Sequence, residues 1–178
     1  MKATGVVRRI DNLGRIVIPK EIRRTLHIRE GDPLEIYTDV GGQVIFKKYS
    51  PLGELGEMAG RFADAVAQKT DFSVAICDRE RCIAAAGAQK SQLTDRSISN
   101  DLEHILEGRR LYVKKKDEPS PPALTGSNTE AALVAPIITA GDVSGGIVLA
   151  GPPNSPIPDE ADSKLAQVAA EFFSRNVD

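Results

Sequence analysis

Residues 4–24, TGVVRRIDNLGRIVIPKEIRR, interleave β-branched runs with cations and meet a proline near their end, which leaves few folds open. Val6-Val7, Ile10 and Ile16-Val17-Ile18 have the composition of strands. Leu13-Gly14 supplies a turn between them, because glycine reaches backbone angles that other residues resist. Pro19, with its locked φ and missing N–H, ends the second run and suits the start of a helix. That helix is expected over Lys20 to His27, with Ile22 and Leu26 one turn apart and Arg23 and Arg24 turned to solvent.

The same 21 residues hold five arginines and one lysine against two acids, Asp11 and Glu21. Residues 1–50 carry 10 Lys and Arg against 6 Asp and Glu, while residues 51–178 carry 13 against 19. A locally basic head on a mildly acidic chain is the electrostatic footprint of a nucleic-acid-binding module. After the helix, Leu34 to Val40 alternates in character, Gly41-Gly42 predicts a tight primed hairpin turn, and Gln43 to Tyr49 returns. The head reads β-β-α-β-β. About fifty residues bury too little surface to be stable alone, so the head calls for a second copy.

The pattern TGVVRRIDNLGRIVIPKEIRRTL, then GDPLEIY and VIFKKY, resembles the swapped-hairpin DNA-binding domain of the AbrB-like transition-state regulators. The resemblance implies two chains interleaving hairpins into one β-barrel, with double-stranded DNA as partner. It carries the DNA face to Arg8, Arg9, Arg15, Arg23 and Arg24, with Lys2 and Lys20 as auxiliaries. The layout of the whole chain is similar to that of two-domain sporulation regulators of this family, which end in a GAF domain. That likeness implies an activator and repressor of sporulation genes.

Residues 51–70 are expected to form a linking helix, opened by Ser50 as N-cap and Pro51 as first residue. Leu52, Leu55, Ala59, Phe62 and Val66 form a short heptad seam that could pair with a dimer mate. Residues 71–178 read as helix-flanked strands: Phe72 to Cys77, Cys82 to Ala86, Leu111 to Val113, Ala131 to Thr139 and Gly145 to Ala150. A helix over Ser97 to Glu107 and a last helix over Asp159 to Asn176 complete the order. The last helix carries a second stripe, Ala161, Leu165, Val168 and Phe172. This order looks like a GAF-type antiparallel sheet with packed helices, so the chain as a whole is α+β. The two striped helices suggest contact between chains and a tetramer.

A GAF ligand pocket would be bordered by residues 87–113 and 117–130. No phosphate loop or metal-ligand spacing identifies a ligand, so no cofactor, metal or catalytic residue is assigned, and the chain reads as a non-enzyme. His27 and His104 read as structural histidines, and Lys114-Lys115-Lys116 as a solvated loop edge. Cys77 and Cys82 flank a four-residue turn and read as buried and inert; the sharper rival is a cysteine-dependent redox enzyme on a GAF scaffold. Another rival is an antitoxin-type DNA-binding protein, whose tail would be extended and acidic rather than apolar and periodic. No apolar run approaches the roughly 20 residues that span a bilayer, which predicts no membrane partner and a cytoplasmic location.

Overall fold

The computed structural model describes residues 5–26, 28–116 and 118–177. The chain divides between Tyr49 and Ser50 into two compact units. The first unit contains the helix α1 (Lys20–Thr25) and a two-stranded antiparallel sheet of β1 (Leu34–Thr38) and β2 (Val44–Lys48). Pro19 is the N-cap of α1, and the helix stops at Thr25, short of the expected His27. His27 lies outside the described residues.

Two expectations for this unit change. The β1–β2 connection is not a two-residue glycine turn but a five-residue one, Asp39 to Gln43. Asp39 Oδ1 accepts the N–H groups of Gly41 and Gln43, both at 2.9 Å. Only Gly42 takes the left-handed conformation, at φ +75°. The aspartate side chain stands in for a backbone acceptor and so widens the turn. Second, Val6–Ile10 and Ile16–Ile18 form no ladder in the single chain. The turn between them is closed, yet its legs lack partners, and among the described residues one chain closes no barrel. The physical reason is the missing apolar cover. Among the described residues, thirteen of the fifteen exposed large hydrophobics lie in this unit, including Val7, Ile10, Val17, Ile36 and Phe46.

The second unit buries a core on both faces of one sheet. Its strands are β3 (Ser73–Asp78), β4 (Cys82–Ala86), β5 (Tyr112–Val113), β6 (Glu130–Thr139) and β7 (Asp142–Gly151). They lie in the order β4-β3-β7-β6-β5, all antiparallel. Central strands buried on both faces are apolar at nearly every position, which is why FSVAIC and GGIVLA read as near-continuous runs; the polar exception, Ser73, is buried and its Oγ accepts the Gln89 N–H at 2.8 Å. Val74, Ile76, Leu133, Ile147 and Leu149 face α2 (Pro51–Glu54), α3 (Gly56–Ala67) and α6 (Glu160–Asn176). Ala75, Cys77, Val134 and Val148 face α4 (Lys90–Leu93), α5 (Asn100–Glu107) and Leu124 of the following loop.

The expected linking helix is broken at Leu55 into α2 and α3. Gly53, Gly56 and Gly60 each weaken helix by about 1 kcal/mol relative to alanine, so tertiary packing decides its course. Ser50 does cap α2: its Oγ accepts the Gly53 N–H at 3.1 Å and donates to Asp78 Oδ2 at 2.8 Å. Leu52, Ala59 and Val66 of the heptad seam are buried against the sheet of their own chain. The stripe on α6 behaves differently. The sheet takes Ala166, Ala169, Ala170 and Phe173, while Val168 remains 64% exposed and Leu165 and Phe172 are half-buried. A capping box of Asp159 and Asp162 starts this helix. Phe62, Phe172 and Phe173 join α3 to α6, with Phe62 stacked on Phe172 at 4.9 Å between ring centres.

Candidate nucleic-acid interface

The first turn, Asp11 to Arg15, is the best-defined part of the basic head. The Asp11 N–H donates to the Arg15 carbonyl at 3.1 Å, and the Gly14 N–H donates to the Asp11 carbonyl at 3.0 Å. Asp11 Oδ1 accepts the N–H groups of Leu13 and Arg15 at 2.9 and 2.8 Å. Gly14 stands at φ +75°, a conformation that costs other residues about 1 kcal/mol or more. Arg15 Nε donates to Asp11 Oδ2 at 2.8 Å, so the tip carries an ion pair. Arg15's backbone and side-chain hydrogen bonds hold the Asp11 carboxyl below the usual carboxylate range.

Arg8, Arg9 and Arg15 flank or belong to this turn and are exposed. Lys20, Arg23 and Arg24 belong to α1; Lys20 and Arg24 are exposed and Arg23 is half-buried, less open than the helix pattern suggests. Among the described residues, Arg8, Arg9, Arg23 and Arg24 pair with no carboxylate, and Arg15 pairs with Asp11. Unpaired guanidinium groups on a surface are ready donors for phosphate oxygens and base edges. Lys2 lies outside the described residues. Asp11 closes this turn, and its spacing Asp11-x-x-Gly14 recurs as Asp39-x-x-Gly42.

In the second unit several sequence expectations change. Leu93, Leu102, Leu106 and Leu124, from the stretches expected to border a GAF ligand, are core residues, all at most 2% exposed. A groove of about 230 Å³ lies beside α6, lined by Arg109, Leu111, Pro136, Ile138, Gln167 and Ser174 among others. Two of its polar groups are engaged: Arg109 Nη1 donates to Gly141 O at 2.7 Å, and Ser174 Oγ donates to Ile138 O. Lys114 is not a loop-edge charge. It is buried, and its Nζ donates to the carbonyl and hydroxyl of Ser155. His104 is solvent-facing, 3.7 Å from Glu107, rather than a structural core residue.

Cys77 and Cys82 stand opposite each other across β3 and β4, both buried and both free thiols. The hydrogen bond to Cys82, together with complete burial, pushes the Cys77 thiol well up, and Cys82 Sγ donates to Ala84 O at 3.1 Å. Redox thiols need exposure and an easily formed thiolate, and Cys77 has neither.

A basic, coreless head joined to a packed α+β unit is the layout of a two-part DNA-binding regulator. Residues 54–178 match the family described as stage V sporulation protein T C-terminal, transcription factor. Residues 7–53 match the family described as antidote-toxin recognition MazE, bacterial antitoxin. The chain is 45% identical over 180 residues to stage V sporulation protein T of Bacillus subtilis (strain 168), covering 100% of this chain and 99% of that protein. Its head is 61% identical over 51 residues to the transition state regulatory protein AbrB of the same organism, covering 29% of this chain and 52% of that one. A solved GAF domain/HD domain protein from Geobacter sulfurreducens, 14% identical, matches at a TM-score of 0.50 over 74% of this chain and 96% of its own. That last likeness shows the fold of the second unit. The chain belongs to the stage V sporulation protein T family of transcription factors.

Proposed function

We propose that the chain is a sequence-preferring regulator of sporulation genes, activator and repressor, that binds double-stranded DNA through Arg8, Arg9, Arg15, Arg23 and Arg24. Lys2 and Lys20 assist. The observation that carries this reading is the first unit's combination of unpaired guanidinium groups and uncovered apolar side chains. A second copy would cover the apolar residues and double the cationic face. Folding of the head and dimerisation would then be one event. We assign the protein to the cytoplasm and give it no catalytic centre. Among the described residues no helix is long and apolar enough to cross a membrane. The antitoxin reading is weaker, because residues 50–177 are a packed unit rather than an extended toxin-wrapping tail.

The direct test is fluorescence anisotropy of labelled duplex DNA across salt concentrations. Binding should weaken steeply with salt, since each neutralised phosphate contributes about −0.9 to the slope of log K against log salt. Absence of binding at the lowest salt would sink the reading.

The second unit fits an oligomerising role better than a sensing one, because the leucines of the stretches expected to border a ligand, Leu93, Leu102, Leu106 and Leu124, are packed into its core. The exposed Val168 on α6, flanked by the half-buried Leu165 and Phe172, is the surface through which dimers would join into a tetramer. Val168→Lys is therefore expected to halve the mass seen by light scattering while leaving the melting temperature of the second unit nearly unchanged. An unaltered mass would move the contact elsewhere.

A further inference from the structure

The two turns of the first unit are built alike, and the comparison isolates what one oxygen does. In Asp11–Arg15 and in Asp39–Gln43 the aspartate N–H donates to the carbonyl four residues on, at 3.1 and 3.2 Å. In both, the aspartate carbonyl accepts from the glycine three residues on, which stands at φ +75°. In both, Oδ1 accepts two backbone N–H groups. The second turn ends in Gln43 where the first ends in Arg15. It closes without an ion pair, so Oδ1 suffices to build the turn, and Asp11 Oδ2 is left for Arg15 Nε alone.

Next to DNA a carboxylate repels phosphate, so a tip designed only for affinity would not carry one. A group that gives up attraction while fixing geometry is a specificity device. Holding Arg15 by Nε leaves Nη1 and Nη2 as a fork, 70% exposed as a side chain, with fewer orientations open to it. Such a fork matches the two acceptors on a guanine edge. We propose that Asp11 is a positioning residue that sets DNA specificity by orienting the Arg15 guanidinium toward a guanine edge. This rests on reading the first unit as a DNA-binding head.

Asp11→Asn in the full chain tests it. Asparagine keeps the Oδ1 acceptor that closes the turn but replaces Oδ2 with an amide that cannot accept from Nε. The probe is a duplex enriched by the wild-type protein from a randomised pool, measured against a scrambled duplex of the same composition. In Asp11→Asn, affinity for the scrambled duplex should rise, as a negative charge is lost. The ratio of enriched to scrambled affinity should fall about tenfold. Asp39→Asn, which alters the twin turn that has no arginine, should leave the ratio as it is. A ratio unchanged in Asp11→Asn overturns the role of Asp11 while the DNA reading stands. Loss of both affinities would make Asp11 merely structural and also overturns it. A wild-type protein that enriches no duplex would overturn the reading of the head, and the inference with it.

Discussion

Gly145→Ala is expected to destabilise the second unit by about 3 kcal/mol, at the upper end of the range for overpacking. A methyl group there would sit 2.1 Å from the Cys77 carbonyl oxygen, 2.7 Å from Leu52 Cδ1 and 3.0 Å from the Asp78 Cα. Two of these neighbours are backbone in the adjacent strand, which cannot rotate away. The third is the fully buried anchor of α2. The same displacement would disturb Asp78, whose carboxylate accepts from Ser50 and from the Glu80 and Arg81 N–H groups. A loss of this size should lower the melting temperature by about 10 °C in a unit of this length, read by circular dichroism. Gly60→Ala is the matched control. A Cβ on Gly60 meets nothing within 4 Å, so that variant should gain up to about 1 kcal/mol from helix propensity. A melting temperature for Gly145→Ala within 2 °C or so of the wild type, relative to the range above, would show that β7 can shift and that its close approach is dispensable.

Arg24→Ala should weaken binding to duplex DNA on the order of a hundredfold. Each good guanidinium contact is worth about 1–3 kcal/mol, and a two-fold head loses two of them. Arg24 suits this test because it is exposed on α1 and, among the described residues, pairs with no carboxylate, so its removal leaves no orphaned partner. If it meets phosphate, the slope of log K against log salt should become shallower by about 2 for the dimer. Arg24→Lys separates the two kinds of contact. A lysine keeps a point charge and should restore binding through phosphate, but it lacks the planar fork needed to read guanine in two places. Retention of wild-type affinity and slope in Arg24→Ala would remove this residue from the DNA face.

The central strands were legible because burial on both faces demands a near-continuous apolar run, and Phe72 to Cys77 is one but for Ser73. The α6 stripe was legible as a period but not as an orientation. A helix with Ala166, Ala169, Ala170 and Phe173 on one side can lay them against a sheet and leave Val168 outside, and periodicity alone does not choose between the faces. Leu52 to Val66 looked equally suited to another chain, yet packs on its own sheet. Lys114 was misplaced because burial of its ammonium depends on Ser155, 41 residues away, a pairing that no local pattern contains. Gly145-Gly146 carried a readable signal: paired glycines inside a strand mark close approach, here of Leu52 on one face and Leu106 on the other. In the head, the arginines and the turn at Gly14 stood out from the sequence. The ladder expected of Val6 to Ile18 does not form in the single chain, whose apolar side chains there stay exposed.

The bare apolar surface of the first unit has a consequence for dosage. When a DNA-binding face exists only in paired chains, and chains are scarce, its amount grows with the square of their concentration rather than in proportion. Halving the supply would then leave about a quarter of the working heads, so modest changes in synthesis or proteolysis would act as a threshold on occupancy of the target sites.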